Sequence, residues 1–156
     1  MKMKLIDIGK TDEAFLVEGI EKYLKRLKHY VSFEIMVLND VKTGKKLNIE
    51  LQKEQEGRAI LEKVQSNETL ILLDENGKDF TSVGFANFLQ KKLNAGNNLV
   101  FVIGGPFGFS TEVYQRADAQ LALSKLTFSH QMVRLFFVEQ LYRAFTIIKG
   151  EKYHHL

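Results

Sequence analysis

Two short stretches of this chain, Leu70-Ile71-Leu72-Leu73 and Leu99-Val100-Phe101-Val102-Ile103, are apolar at every position. A strand with one wet face alternates apolar and polar residues, so unbroken apolar runs belong to strands covered on both faces, the environment of a parallel sheet between helices. Parallel neighbours need a crossover, and Phe85, Ala86, Leu89 and Leu93 supply one at helical spacing, begun by Thr81 or Ser82 as a cap. The alternation continues on both sides. A first strand over 5–8 precedes a helix with the apolar stripe Leu16, Ile20, Tyr23, Leu24 and Leu27, and a second strand covers 33–38. A charged helix over about 47–64 tolerates Gly57, at a cost of about 1 kcal/mol relative to alanine. A short helix from about Ser110, a strand near 119–123 and a long helix from Ser129 to about Lys149 complete an α/β sheet with helices on both faces.

With 156 residues, 45% hydrophobic and 26% charged, the composition suits one domain over 1–156 burying roughly 70% of its unfolded surface. There is no cysteine, which removes disulfides, thiolate nucleophiles and zinc knuckles and fits a reducing compartment. The start, Met1-Lys2-Met3-Lys4-Leu5-Ile6-Asp7, holds no signal-peptide core, and no apolar run approaches membrane-spanning length. A cytoplasmic protein is expected. The net charge of +3 decides little, but Lys22, Lys25, Arg26, Lys28 and His29 cluster late in the first helix, followed by Lys42, Lys45 and Lys46 in a loop. Such a face meets a phosphate backbone, or is simply solvated beside Glu18 and Glu21.

Ligands of parallel sheets bind beyond the carboxyl ends of the strands. Directly after the most apolar strand stands Gly104-Gly105-Pro106-Phe107-Gly108-Phe109-Ser110. It is not a dinucleotide fingerprint, because Pro106 occupies a fingerprint glycine position, and no lysine follows in Walker A register. A plain strand-to-helix turn and a ligand loop both fit it. Two more strand exits, Leu73-Asp74-Glu75-Asn76-Gly77-Lys78 and Leu123-Ser124-Lys125-Leu126-Thr127-Phe128, favour the ligand. Three exits can line one crevice, with backbone groups reading an adenine edge and Leu73, Leu126 and Phe128 holding its ring. Asp74 and Glu75 have either a site role or a turn role.

The end of the chain is rich in aromatic and ionisable side chains, Lys149-Gly150-Glu151-Lys152-Tyr153-His154-His155-Leu156, where domain termini are usually dull. The helix before it is apolar around nearly its whole circumference, through Val133, Leu135, Phe136, Phe137, Val138, Leu141, Phe145, Ile147 and Ile148. Such a helix is buried from two sides, by its own chain or by a second copy.

Taken together, Leu73-Asp74-Glu75-x-Gly77-Lys78, Phe101-Val102-Ile103-Gly104-Gly105, Leu123-Ser124-Lys125-Leu126-Thr127-Phe128-x-His130, Glu139-Gln140-Leu141-Tyr142-Arg143-Ala144 and Tyr153-His154 resemble the ribosomal large-subunit methyltransferase H family. This is the smallest branch of the SPOUT methyltransferases, and the likeness runs in order over nearly the whole chain. It implies a SPOUT (α/β-knot) fold with a trefoil-knotted carboxyl-terminal half, S-adenosylmethionine as methyl donor, a homodimer, and methylation at N3 of a pseudouridine in 23S rRNA on the large subunit or ribosome. It also implies Leu73, Gly104 and the segment Leu123, Ser124, Lys125, Leu126, Thr127 and Phe128 as cofactor-binding positions. Ser129 stands where relatives often have proline, and His155 where they often have arginine or lysine.

Methyl transfer from a sulfonium requires alignment of the methyl with N3, removal of the N3 proton and stabilisation of charge on the flanking carbonyls, and it needs no metal. His154 is the first candidate for proton acceptor or base-positioning group. Tyr153 stacks or donates, and Arg143 either meets the developing charge or pairs with Glu139 one turn away. His130 is expected to cap the last helix. The competing functions are a non-catalytic RNA- or ribosome-binding module and a nucleotide-dependent oxidoreductase.

Overall fold

A computed structural model describes residues 1–41 and 48–155; the expected lysine loop at Lys42, Lys45 and Lys46 lies outside them. Five strands, β1 (Lys2–Ile8), β2 (Ser32–Leu38), β3 (Thr69–Asp79), β4 (Leu99–Ile103) and β5 (Ala119–Ala122), form one sheet in the order β2-β1-β4-β3-β5. Every pairing is parallel. The helices are α1 (Ala14–Leu27), α2 (Ile49–Leu61), α3 (Ser82–Asn94), α4 (Thr111–Arg116) and α5 (Met132–Ile148).

Side chains alternate across the pleat and divide the core in two. Met3, Leu5, Ile71, Leu99, Phe101 and Ile103 face α1, α3 and α5. Ile6, Ile8, Leu70, Leu72, Val100 and Val102 face α2 and α4. The two unbroken apolar runs are therefore the central strands β3 and β4, wet on neither face. Thr81, rather than Ser82, caps α3 by accepting from the Gly84 amide at 3.0 Å. Gly57 sits inside α2 because a Cβ there would fall 2.4 Å from Ser110 Oγ, so the missing side chain lets α2 press on the start of α4.

β3 departs from expectation. It does not end at Leu73 but pairs again with β5 at Lys78 and Asp79, and Leu121 opposes both Leu73 and Lys78. Residues 74–77 thus stand outside the β3–β5 ladder at the carboxyl end of the sheet, an irregularity of the bulge kind that re-aims side chains next to sites. An Asx turn shapes it, with the Asn76 amide donating to Asp74 Oδ1 at 2.9 Å.

Of the two coverings open to α5, its own chain supplies much. Phe137, Val138, Leu141, Ala144 and Phe145 are buried, and Val133, Leu135, Ile147 and Ile148 pack partly against the same core, shared with α1 and α3. Phe136 remains 39% exposed and touches Phe128, ring centroids 4.9 Å apart. Its start is capped by Ser129, whose Oγ accepts from the Met132 amide at 3.1 Å; the cap expected of His130 is absent.

Candidate active site

The carboxyl ends of β3, β4 and β5 open onto a crevice of about 600 Å³, within the usual size of small-ligand sites. Its floor is the β4 exit. Gly105-Pro106-Phe107-Gly108 makes a tight turn closed by the Gly108 amide on the Gly105 carbonyl at 3.2 Å, with Gly108 at a φ of +81° that favours glycine. Pro106, which breaks the dinucleotide fingerprint, takes the turn position that its fixed φ suits. Of the expected donor-binding positions, Leu73, Gly104, Leu123, Ser124, Leu126, Thr127 and Phe128 all line the crevice. Lys125 does not: its side chain is 85% exposed and reaches Asp79 at 3.5 Å. Leu126 is 74% exposed, a large apolar side chain left standing over the opening.

Asp74 and Glu75, for which the sequence allows a site role or a turn role, both line the crevice. Asp74 takes a short hydrogen bond from the Tyr114 hydroxyl, and burial followed by this carboxylate pushes the phenol up to about 12. Glu75 Oε2 accepts from Thr127 Oγ1 at 3.1 Å, tying the β3 bulge to the segment after β5. The wall residue Tyr114 was not singled out from sequence; its position four residues after the helix-capping Ser110 is the only signal there was. The rim thus presents carboxylates beside apolar faces, a combination suited to a ligand with an aromatic ring and a positive charge.

Behind the crevice lies a second feature missed from sequence. Arg134, on α5 beside the crevice-lining Val133, is fully buried against Asp7 at the end of β1, Nε to Oδ2 3.5 Å. Its Nη1 donates to Thr11 Oγ1 at 2.9 Å and its Nη2 to the Ile8 carbonyl at 2.8 Å. Burial raises the Asp7 carboxyl from 3.8 to about 6, with Arg134 pulling the other way.

The tail forms a separate cluster. After α5 the Gly150 amide donates to the Ile147 carbonyl at 3.0 Å and the Glu151 amide to the Thr146 carbonyl at 2.9 Å, with Gly150 at φ +70°. This is a Schellman motif, and it turns the chain back along its own helix. Tyr30 fastens it by donating to Glu151 Oε2 at 2.6 Å, a bond that helps push the Tyr30 phenol up to about 12. Tyr153 then lies against Tyr142, ring centroids 4.7 Å apart, beneath the Arg143 guanidinium at 4.8 Å. Arg143 pairs with Glu139 at 2.6 Å, as one of its two expected roles requires, and also reaches His154 Nδ1 at 3.0 Å. His154, Tyr153 and Arg143 are therefore together, but none lines the crevice. Arg26, from the basic end of α1, leans over Tyr23 and Tyr142 at 5.4 Å from each ring centroid.

Against this geometry, a family model described as "Predicted SPOUT methyltransferase" matches residues 1–154. The chain belongs to the SPOUT methyltransferase family. It is similar to proteins named Ribosomal RNA large subunit methyltransferase H. The one from Christiangramia forsetii is 56% identical, with 99% of both chains covered. The one from Cytophaga hutchinsonii is 54% identical over 99% of this chain and all of its own, and that of Phocaeicola vulgatus is 47% identical. The parallel sheet flanked by helices on both faces agrees with that membership. Among the described residues no helix is long and apolar enough to cross a membrane.

Proposed function

We propose that the protein is an S-adenosylmethionine-dependent methyltransferase of large-subunit ribosomal RNA, acting at N3 of a pseudouridine in 23S rRNA. The observation that carries this is the crevice itself, where three strand ends converge on an opening lined by backbone, apolar faces and two carboxylates. When bound there, S-adenosylmethionine supplies a methyl group on a positively charged sulfur. In this reading Leu73, Leu126 and Phe128, which line the crevice, hold its ring, and the turn at 104–108 meets its polar edge through the backbone. Asp74 and Glu75 offer negative charge to a cationic ligand. Lys125 takes part through its main chain.

The target base is assigned to Tyr153, His154 and Arg143, with the exposed Lys22 and Lys25 of α1 and Lys28 and His29 just after it as a phosphate-facing surface. A homodimer belongs to this reading for a geometric reason. Val133 lines the crevice and Arg143 stands ten residues further along α5, roughly 15 Å away at the helical rise. A second copy brings its tail to the first copy's crevice, and the exposed Phe136 and Leu126 give it apolar surface to cover. The family's knotted carboxyl-terminal half and a cytoplasmic location complete the reading.

The test pairs calorimetric titration with S-adenosylhomocysteine and tritiated methyl transfer to ribosomes lacking the modification, with light scattering for the dimer. Donor binding together with transfer is expected. A folded protein that binds ribosomes but no donor is an RNA-binding module instead.

A further inference from the structure

We infer that the tail cluster is a set of hydrogen-bond donors that stabilises negative charge on the target base, positioned by Glu139, and that His154 serves as an N–H donor rather than as the proton acceptor. The identity of the base rests on the function proposed above; the donor geometry stands on this chain alone.

A guanidinium has N–H groups and no acceptor, so the 3.0 Å contact from Arg143 Nη1 makes His154 Nδ1 the acceptor. In the neutral ring the proton is then on Nε2, and the free edge of the imidazole donates. Tyr153 also donates. Its hydroxyl gives its proton to Glu139 Oε1 at 3.0 Å, and burial first, then Tyr23 and Glu139, hold the phenol far above its ordinary value, so no phenolate is available near neutrality. The carboxylate among these groups is already engaged on both oxygens. Glu139 Oε1 takes Arg143 Nη2 at 2.6 Å as well as Tyr153, and Oε2 takes Gln140 Nε2 at 2.8 Å. What the cluster offers a base is therefore His154 Nε2–H and the remaining N–H groups of Arg143.

Donors of this kind suit a base that is losing its N3 proton, because the negative charge spreads onto the two flanking carbonyl oxygens and hydrogen bonds there stabilise it. The step balances without a protein base. The N3 proton passes to water, the N3 electron pair forms the new bond to carbon, and the carbon–sulfur pair returns to sulfur, leaving a neutral thioether. Glu139 touches none of these atoms. It is a positioning residue, fixing Arg143, and through Arg143 the tautomer of His154.

The decisive variants separate an N–H donor from a base. His154→Gln keeps an amide N–H close to the Nε2 position but cannot accept the proton, and it should retain methyl transfer within roughly tenfold of the parent. His154→Ala should lose roughly a hundredfold or more, the usual effect of a positioned group. Long-range ¹H–¹⁵N spectra of the histidine-labelled protein should show His154 as the Nε2–H tautomer, shifting to a mixture in Arg143→Met and in Glu139→Gln. Glu139→Gln should lower kcat while KM for the ribosome and donor affinity hold. Glutamine as inactive as alanine in a folded variant, or an Nδ1–H signature in the parent, overturns the inference. Absence of donor binding in the parent would instead sink the methyltransferase reading, and the tautomer would still be read.

Discussion

In the crevice most groups in place are glycine backbone, strand ends and apolar surface, with the Asp74 and Glu75 carboxylates at the rim; in the tail cluster they are side chains, with Glu139, Arg143, Tyr153 and His154 joined to one another by hydrogen bonds. The first kind of site depends on where the chain goes, the second on which side chains it carries. A pocket built on backbone tolerates side-chain change wherever the path survives, whereas a network that shares one carboxylate fails when any member is lost. The two regions should therefore answer mutation differently.

The largest effect should come from removing Tyr153 to Leu156. The described residues among them, Tyr153, His154 and His155, do not line the crevice, so affinity for S-adenosylhomocysteine should hold while methyl transfer to unmodified ribosomes falls below detection. Titration and tritium transfer on the same preparation check it. Transfer at the parent rate would strip the tail of its role, and loss of donor binding would show that the two regions are not separable.

Next in size is Arg134→Met, which tests whether the crevice depends on a buried side chain after all. Removing one partner of a buried ion pair costs about 3–5 kcal/mol, and Arg134 also holds the Ile8 carbonyl and Thr11. The loss should depend on pH. Asp7 is raised from 3.8 to about 6 in the folded protein, so its contribution to stability is fully present below about pH 4 and is lost as pH rises through 6. Arg134 attracts only the ionised form, so urea melts should show a wider gap between parent and variant at pH 7.5 than at pH 5. An equal gap at both would mean that Asp7 does not titrate in this range.

The sequence made the sheet legible because β3 and β4 are buried on both faces, and such strands have one hydropathy signature. The crevice was legible by position, since three strand exits share one edge. What stayed hidden was every feature decided by long-range contact. The second half of β3 is polar and reads as an exit, yet it pairs with β5 again after 74–77, in a register shifted so that Leu121 opposes Lys78 as well as Leu73. Arg134 lies within an apolar helix, and nothing near it in sequence announces Asp7, 127 residues earlier. Around α5 the apolar circumference was real, and α1 and α3 of the same chain cover most of it, one of the two coverings that composition left open. The tail was legible by residue type, but its placement depends on the Schellman turn at Gly150 that folds the chain back along α5.

Gly104→Val should have a moderate effect and shows how the crevice transmits damage. A Cβ at Gly104 would lie 3.0 Å from Phe109 Cε1 and 3.1 Å from Cζ, so the added side chain meets a buried ring in the crevice wall before any ligand. Overpacking of this kind costs about 1–3 kcal/mol. Donor affinity should fall by roughly tenfold or more while a folded circular-dichroism spectrum survives. Unchanged affinity would place the donor away from the β4 exit.

The smallest effect should be that of Lys125→Ala, and its smallness is informative. Family likeness assigns the whole run from Leu123 to Phe128 to the donor, but the Lys125 side chain points away to Asp79, with both partners well exposed. An exposed pair of this kind contributes at most about 1 kcal/mol and is screened by salt, so thermal stability should barely move. If donor recognition here runs through the main chain, affinity for S-adenosylhomocysteine should stay within about twofold, because alanine preserves the backbone path and removes only the cation. A tenfold loss would mean that the Lys125 ammonium swings back onto the ligand when the crevice fills, and the contrast between a backbone-read crevice and a side-chain-read tail would then hold less sharply than the structure draws it.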